Sequence, residues 1–331
     1  MSAILEVKSL SVEYPIEGRG LFGKKSSVRA VRAVSLAINA GETVGIVGET
    51  GCGKSSLGKA ILQLVKPSAG SVVWQGRDLC RLTTAELTHC RRDLQIVFQD
   101  PLSSLDPRQS IGEIVAEPLL VHFPELGAAE RERRVVAMLE RVGLRAEMQS
   151  RYPHEFSGGQ CQRISIARAM IVEPKVVVCD EPVSSLDVSI QAQICNLLRD
   201  LQRERGVALL FISHDLSVVR YMSHRVLVLY LGQIVESGPR DELFANPRHP
   251  YTKALISAVP VPDPDRALLA TAATLEGEMP SPLTAPSGCA FRTRCPLAVP
   301  VCITREPLLE QAGDGHLVAC HRWRDTATSR W

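Results

Sequence analysis

The run Gly48-Glu-Thr-Gly-Cys-Gly-Lys54-Ser55-Ser56 matches G-x-x-x-x-G-K-[ST]. The glycines of this pattern let a loop wrap until backbone N–H groups converge on phosphate oxygens. In such a loop Gly48, Gly51, Cys52, Gly53 and Ser56 act as nucleotide-binding positions, Cys52 through its backbone. Lys54 reaches the β- and γ-phosphates, and the Ser55 hydroxyl holds Mg²⁺. Further along, Lys175-Val-Val-Val-Cys-Asp180-Glu181 is an apolar run ending in two acids. There Asp180 suits Mg²⁺, mostly through water, and Glu181 suits polarising an attacking water. Two acids at the end of a strand are common on their own. Paired with a phosphate loop, they suit nucleotide hydrolysis.

These residues need a strand before the phosphate loop and a helix after it, because the helix N-terminus adds a favourable dipole. ETVGIVG supplies the strand, and Ser55 to Val65 has helical spacing. ILEVKSLSVEY alternates apolar and polar residues, as a half-buried strand does. EGRGLFGKKSS is expected as an exposed hairpin loop before VRAVRAVSLAI resumes the strand pattern. SVVWQG and LQIVFQ are further strands, and from about Pro101 to Ala169 the pattern is helical, with AERERRVVAMLERVGL the clearest amphipathic segment. KVVVCD, SIQAQICNLLRDLQRERG (a helix ending at Gly206), VALLFIS and HDLSVVRYM then alternate strand and helix. That order implies a parallel sheet with helices on its faces. HRVLVLYLGQIVESG is expected as a closing hairpin. Beyond Ser257, VPVPDPD and GEMPSPLTAPSG suit a proline-rich linker and extended segments.

Phe156-Ser157-Gly158-Gly159-Gln160 lies between the phosphate loop and the acids. With Gln99 in IVFQDP, Ser184-Ser-Leu-Asp187 and His214 in FISHD, this order resembles the ATP-binding-cassette (ABC) family, whose signature is usually LSGGQ. Tyr14 matches the family's adenine-stacking aromatic. The resemblance covers nearly the whole chain. It implies an α/β P-loop cassette with a mixed sheet core, spanning residues 1–256, with a helical subdomain at about 100–169. It also implies ATP and Mg²⁺ as ligands, Mg²⁺ through Ser55, Gln99 and Asp180, and a catalytic set of Lys54, Glu181 and His214. Ser157, Gly158, Gly159 and Gln160, with Asp187, are expected as further nucleotide contacts. The signature binds a γ-phosphate held by a different subunit, so two cassettes sandwich two ATPs head to tail. Gln99 would report nucleotide status to the helical subdomain that grips a membrane partner. Phe156 replaces the usual Leu, and Cys161 stands where a charged or amide residue commonly follows.

VFQDPLSSLDPR, DEPVSSLDVSIQAQI, NPRHPYTKALISAVP and the ending GCAFRTRCPLAVPVC…LVAC resemble the dipeptide/oligopeptide/nickel importer branch of that family. The phosphate-loop flanks resemble the second of its paired ATPase subunits. The implied partners are a second, different cassette chain, two permease subunits and an extracytoplasmic solute-binding protein, at the cytoplasmic face of the inner membrane. A soluble ABC ATPase of DNA repair or translation is the rival; such proteins carry coiled-coil insertions or two cassettes. Import of nickel or another solute stays open. The extension, 257–331, holds Cys289, Cys295, Cys302 and Cys320 at Cys-x5-Cys-x6-Cys-x17-Cys. Four thiolates suit Zn²⁺ or an iron–sulfur cluster. The lack of short C-x₂₋₄-C knuckles, and the branch's association of such tails with a cluster, favour [4Fe–4S]. Zinc, disulfides and unmetallated thiols remain alternatives.

Bulk properties agree with this picture. The 331 residues carry 38 basic and 36 acidic side chains, too small a basic excess for a dedicated nucleic-acid binder. No stretch approaches the roughly 20 apolar residues that span a bilayer. The start, MSAILEVKSL, lacks the marks of a secretion signal, so any membrane role is expected to run through a partner.

Overall fold

The computed structural model describes residues 3–16, 26–259 and 277–326. The centre of the glycine- and lysine-rich insert and the VPVPDPD linker lie outside the described residues. In chain order the strands are β1 (Leu5–Ile16), β2 (Ser26–Ile38), β3 (Thr43–Val47), β4 (Ala69–Trp74), β5 (Arg77–Asp78), β6 (Leu94–Val97), β7 (Val176–Asp180), β8 (Ala208–Ile212), β9 (Arg225–Tyr230), β10 (Gln233–Pro239), β11 (Glu310–Gly313) and β12 (His316–Val318). The α-helices among the described residues are α1 (Lys54–Ile61), α2 (Thr84–Arg91), α3 (Pro101–Ser104), α4 (Ile111–His122), α5 (Ala128–Arg141), α6 (Gly158–Met170), α7 (Val188–Arg205), α8 (Leu216–Met222), α9 (Arg240–Ala245), α10 (Pro250–Ser257), α11 (Val301–Thr304) and α12 (Trp323–Thr326). The chain forms two compact units.

The first unit comprises Met1–Leu5, Ile38–Thr43 and Trp74–Ile212. Its core is the parallel ladder β6-β7-β8, with Val97 opposite Cys179 and Asp180 opposite Ile212. Every residue of β7 and β8 is buried, which is why both read as continuous apolar runs rather than alternating ones. Helices α3 to α6 follow β6, as the change of pattern after Pro101 predicts. Val135, Met138 and Leu139 form the buried stripe of α5 at helical spacing. Helices α2, α4 and α6 each open with a capping box: Thr83 with Glu86, Ser110 with Glu113, and Ser157 with Gln160. In each, two N–H groups that the helix leaves unpaired find side-chain acceptors. Helix α7 ends at Gly206, whose φ of 64 supplies the left-handed residue that stops it.

The second unit comprises Glu6–Ala37, Val44–Val73 and Ser213–Trp331. Here β3 pairs in parallel with β9, and β9 turns through Leu231 and Gly232 into antiparallel β10, the expected closing hairpin. Gly45 on β3 lets α8 approach: a Cβ there would lie 2.6 Å from Val219 Cγ1. Strands β1, β2 and β4 belong to a separate sheet in the order β2-β1-β4.

The tail departs from the sequence expectation. It is tied into the sheet: β12 pairs with β10, Glu236 opposite Val318, and β11 pairs with β12. Both strands are only three or four residues long, so periodicity does not reveal them. Phe291 is fully buried against Tyr230 and Tyr251, with ring centroids 5.3 and 5.4 Å away.

Candidate functional site

In the second unit β3 runs into the phosphate loop and α1. Gly51 and Gly53 have φ of 81 and 106, conformations that residues bearing a Cβ rarely adopt. A Cβ at Gly53 would also lie 2.0 Å from the Ala30 carbonyl oxygen, and one at Gly48 2.2 Å from that of Leu229. No side chain fits at either position. Helix α1 starts without a side-chain cap, so its first N–H groups remain available to an anion. Lys54 is buried, and its Nζ donates to the carbonyls of Gly48 (2.8 Å) and Glu49 (3.0 Å), which holds the ammonium over the loop. Ser55 and Ser56 open α1 half-buried, and the Tyr14 hydroxyl donates to Ser56 Oγ at 3.2 Å. The Cys52 side chain points into the protein, where burial, partly offset by Lys54, pushes its thiol up to about 11. It is an inert packing group at neutral pH. His214 is exposed and stands one residue after Ser213, whose N–H donates to Ile46 on β3 at 3.1 Å. Asp215 then caps α8.

In the first unit Asp180 ends β7 and Glu181 follows it, 4% and 8% exposed. Glu181 has φ 47, and its N–H donates to the Ile212 carbonyl at 3.0 Å. Gln99 Nε2 donates to Glu181 Oε2 at 3.2 Å, so this unit brings the glutamine after β6 and the acid after β7 together. The signature opens α6. Ser157 Oγ accepts from Gln160 N, while Gln160 Oε1 accepts from Ser157 N at 3.0 Å. Ser157 and Gly158 are exposed; Gly159 packs so tightly on α7 that a Cβ would lie 2.6 Å from Ile190 Cγ2. Asp187, also exposed, begins α7 after a turn that the Gln191 amide holds by donating to the carbonyls of Val183 and Leu186. Cys161 is fully buried and its thiol donates to the Pro153 carbonyl, which accounts for an apolar residue at that position.

Sequence patterns missed two residues. Arg168 of α6 donates to the Ser104 carbonyl of α3 at 2.6 Å, joining the signature helix to the segment after Gln99. Glu49, a variable position of the phosphate-loop pattern, is ion-paired to Arg294.

The expected iron–sulfur cluster, and zinc in its place, is overturned. Among the described residues no group of three or more His, Cys, Asp or Glu side chains is placed to hold a metal ion. Cys289, Cys295, Cys302 and Cys320 are free cysteines. Burial pushes the Cys289 thiol up, that of Cys295 to about 11 and that of Cys320 to about 12. Strand pairing and aromatic packing, not a metal, fasten the tail.

Comparison with known proteins agrees with the nucleotide-site geometry. Residues 31–184 match the ABC transporter family, and residues 235–302 match the oligopeptide/dipeptide transporter C-terminal region. The chain is 54% identical over 319 residues to the oligopeptide transport ATP-binding protein OppF of Salmonella typhimurium, covering 96% of this chain and 95% of that one. It is 47% identical to the dipeptide transport ATP-binding protein DppF of Haemophilus influenzae, covering 96% of each. Among solved structures, the dimeric ATP-binding cassette MJ0796 bound to ADP and Pi aligns with a TM-score of 0.63 at 30% identity, over 71% of this chain and 98% of that one. The chain belongs to the ABC transporter family, within its group of oligopeptide and dipeptide transport ATP-binding proteins.

Proposed function

We propose that this chain hydrolyses ATP to power the import of di- or oligopeptides through a partner permease. The observation that carries the reading is the phosphate loop, where two positions exclude any Cβ, α1 begins uncapped and a buried lysine is held over the turn. The likeness to OppF and DppF over almost the whole chain supplies the solute class. It also favours a transporter over a soluble ABC ATPase of repair or translation.

The residues present fit ATP and Mg²⁺. The Ser55 hydroxyl, the Asp180 carboxylate and the Gln99 amide are hard oxygen donors of the kind Mg²⁺ takes, and the ion would neutralise charge on the β- and γ-phosphates. Lys54 binds those phosphates, the loop N–H groups cradle them, and Tyr14 stacks on adenine. The Glu181 carboxylate accepts a proton from water as the water oxygen attacks the γ-phosphorus. The bond to the bridging oxygen then breaks and ADP leaves. Gln99, already donating to Glu181, holds that carboxylate in line, and His214 contacts the γ-phosphate.

Ser157, Gly158, Gly159 and Gln160, followed by Asp187, serve the nucleotide of a second, different cassette arranged head to tail. Support comes from the exposure of Ser157 and Gly158 at a helix start. Residues 1–256 act as the nucleotide-binding domain, with a helical subdomain at about 100–169 that engages the permease. Residues 257–331 are a small extension carrying the four tail cysteines as thiols. Among the described residues no helix is long and apolar enough to cross a membrane. The chain acts peripherally, on the cytoplasmic side, with two permease subunits and a solute-binding protein.

The test is turnover in the reconstituted transporter. Glu181→Gln should lower ATP hydrolysis by about 10²-fold or more while ATP still binds, and Lys54→Ala should weaken binding itself. Peptide should stimulate the wild type. Wild-type turnover by the Glu181 variant, or indifference to peptide with every candidate binding protein, would overturn the assignment.

A further inference from the structure

We propose that the C-terminal region clamps the phosphate loop of its own chain, with Arg294 and Tyr251 as positioning residues for Lys54. This rests on the nucleotide-site assignment above.

Glu49 follows the first glycine of the loop and is held at every polar group it has. Its N–H donates to the Tyr251 hydroxyl at 2.9 Å. Its carboxylate accepts from Arg294 Nη1 at 2.8 and 3.1 Å. Its carbonyl accepts from Lys54 Nζ at 3.0 Å and from Cys52 N at 3.2 Å. The path from tail to phosphate-binding ammonium is therefore two contacts long: Arg294 fixes Glu49, and Glu49 fixes Lys54. Arg294 is itself well anchored. Its side chain is 6% exposed, and its N–H donates to the carbonyl of Phe291, the ring wedged against Tyr230 and Tyr251. Met279, also in the tail, adds a methyl contact: a Cβ built on Gly51 would lie 3.6 Å from its Cε.

The arrangement has an electrostatic purpose as well. A bare carboxylate at Glu49 would repel the phosphates that the loop must hold. The buried guanidinium cancels that charge, and removing one partner of such a pair leaves the other uncompensated.

The experiment uses the full chain in its transporter complex, with Mg-ATP as the probe. It measures KM, kcat, the Kd for ATP and the melting temperature of Arg294→Met, Arg294→Lys, Tyr251→Phe, Glu49→Gln and the pair Arg294→Met/Glu49→Gln. Arg294→Met should raise KM and Kd about 5- to 20-fold with kcat within about twofold. Arg294→Lys should recover part of the loss. Adding Glu49→Gln should recover most of it, because the uncompensated charge is gone. Tyr251→Phe, which keeps the buried ring, should raise Kd by a smaller factor. Unchanged Kd in both Arg294→Met and Tyr251→Phe would overturn the clamp. So would a loss that tracks melting temperature and that Glu49→Gln does not relieve. A wild-type complex unable to bind ATP would overturn the nucleotide-site assignment itself.

Discussion

Glu181 sits at φ 47, where a side-chain-bearing residue is disfavoured by about 1–2 kcal/mol. Its surroundings enforce that conformation: its N–H is bound to Ile212, and its carbonyl accepts from the Ser184 hydroxyl at 3.1 Å. The backbone, more than the rotamer, thus aims the carboxylate, and Gln99 finishes the aim. Glycine has no penalty at this φ, and replacing Glu181 also removes a buried charge beside Asp180. Glu181→Gly should therefore raise the thermal midpoint by about 2–4 °C while abolishing hydrolysis. A lower midpoint in a melting experiment would show that the conformation is not strained. Gly53 gives the opposite case. Gly53→Ala puts a methyl against the Ala30 carbonyl at a φ of 106, so it should cost several kcal/mol in urea unfolding and eliminate ATP binding. Retained nucleotide affinity in that variant would mean the loop has freedom the packing denies it.

At the scale of elements, the signature motif is also a capping box. Ser157 starts α6 through Gln160 N, and the same hydroxyl is the one assigned to a partner's γ-phosphate. The two roles separate by substitution. Ser157→Ala loses both and should destabilise the chain by about 1 kcal/mol. Ser157→Asp keeps a good cap acceptor, so its melting curve should match the wild type. Its charge would repel the phosphate, and ATP-dependent dimerisation in a Glu181→Gln background should vanish by light scattering. Dimerisation that survives Ser157→Asp would remove the signature from the phosphate site. The signature run, the phosphate loop and the buried apolar strands were visible in the sequence, because each is a local pattern. The Gln99–Glu181 bond was not legible, since its partners are 82 residues apart. Strands β11 and β12 were not legible at all: EQAG and HLV have no periodicity, and only the pairing of β12 with β10 and of β11 with β12 makes them strands. The tail cysteines misled for the same reason. Their spacing in the chain invites a metal, while among the described residues the fold places no group of three or more such ligands together.

For the whole molecule, one buried carboxylate ties the tail to the body of its unit. Glu236 on β10, wholly buried, accepts from the N–H groups of Arg248 (2.6 Å) and His249 (2.9 Å), and His316 Nε2 on β12 lies 2.8 Å from it. His249 then starts α10, its Nδ1 accepting from Tyr251 N at 3.0 Å, which only an unprotonated Nδ1 can do. Burial, opposed by Glu236, drives the pKa of His249 down to about 4 from 6.5. Between those two values the unfolded chain binds the proton and the folded chain does not, so stability falls as pH falls. The contribution is complete above pH 6.5 and is lost as pH drops towards 4, up to about 3 kcal/mol for the full shift. Urea midpoints measured from pH 7.5 to 4 should therefore decline across this window. His249→Asn keeps a cap acceptor without a titrating ring, so it should flatten the decline and cost little at pH 7.5. A parallel decline in the variant would assign the acid sensitivity to other groups. Because α10 also carries Tyr251, whose hydroxyl holds Glu49, protonating His249 should loosen the phosphate loop before the chain unfolds. ATP affinity should then start to fall at a higher pH than the wild-type unfolding transition, and in His249→Asn the two should coincide.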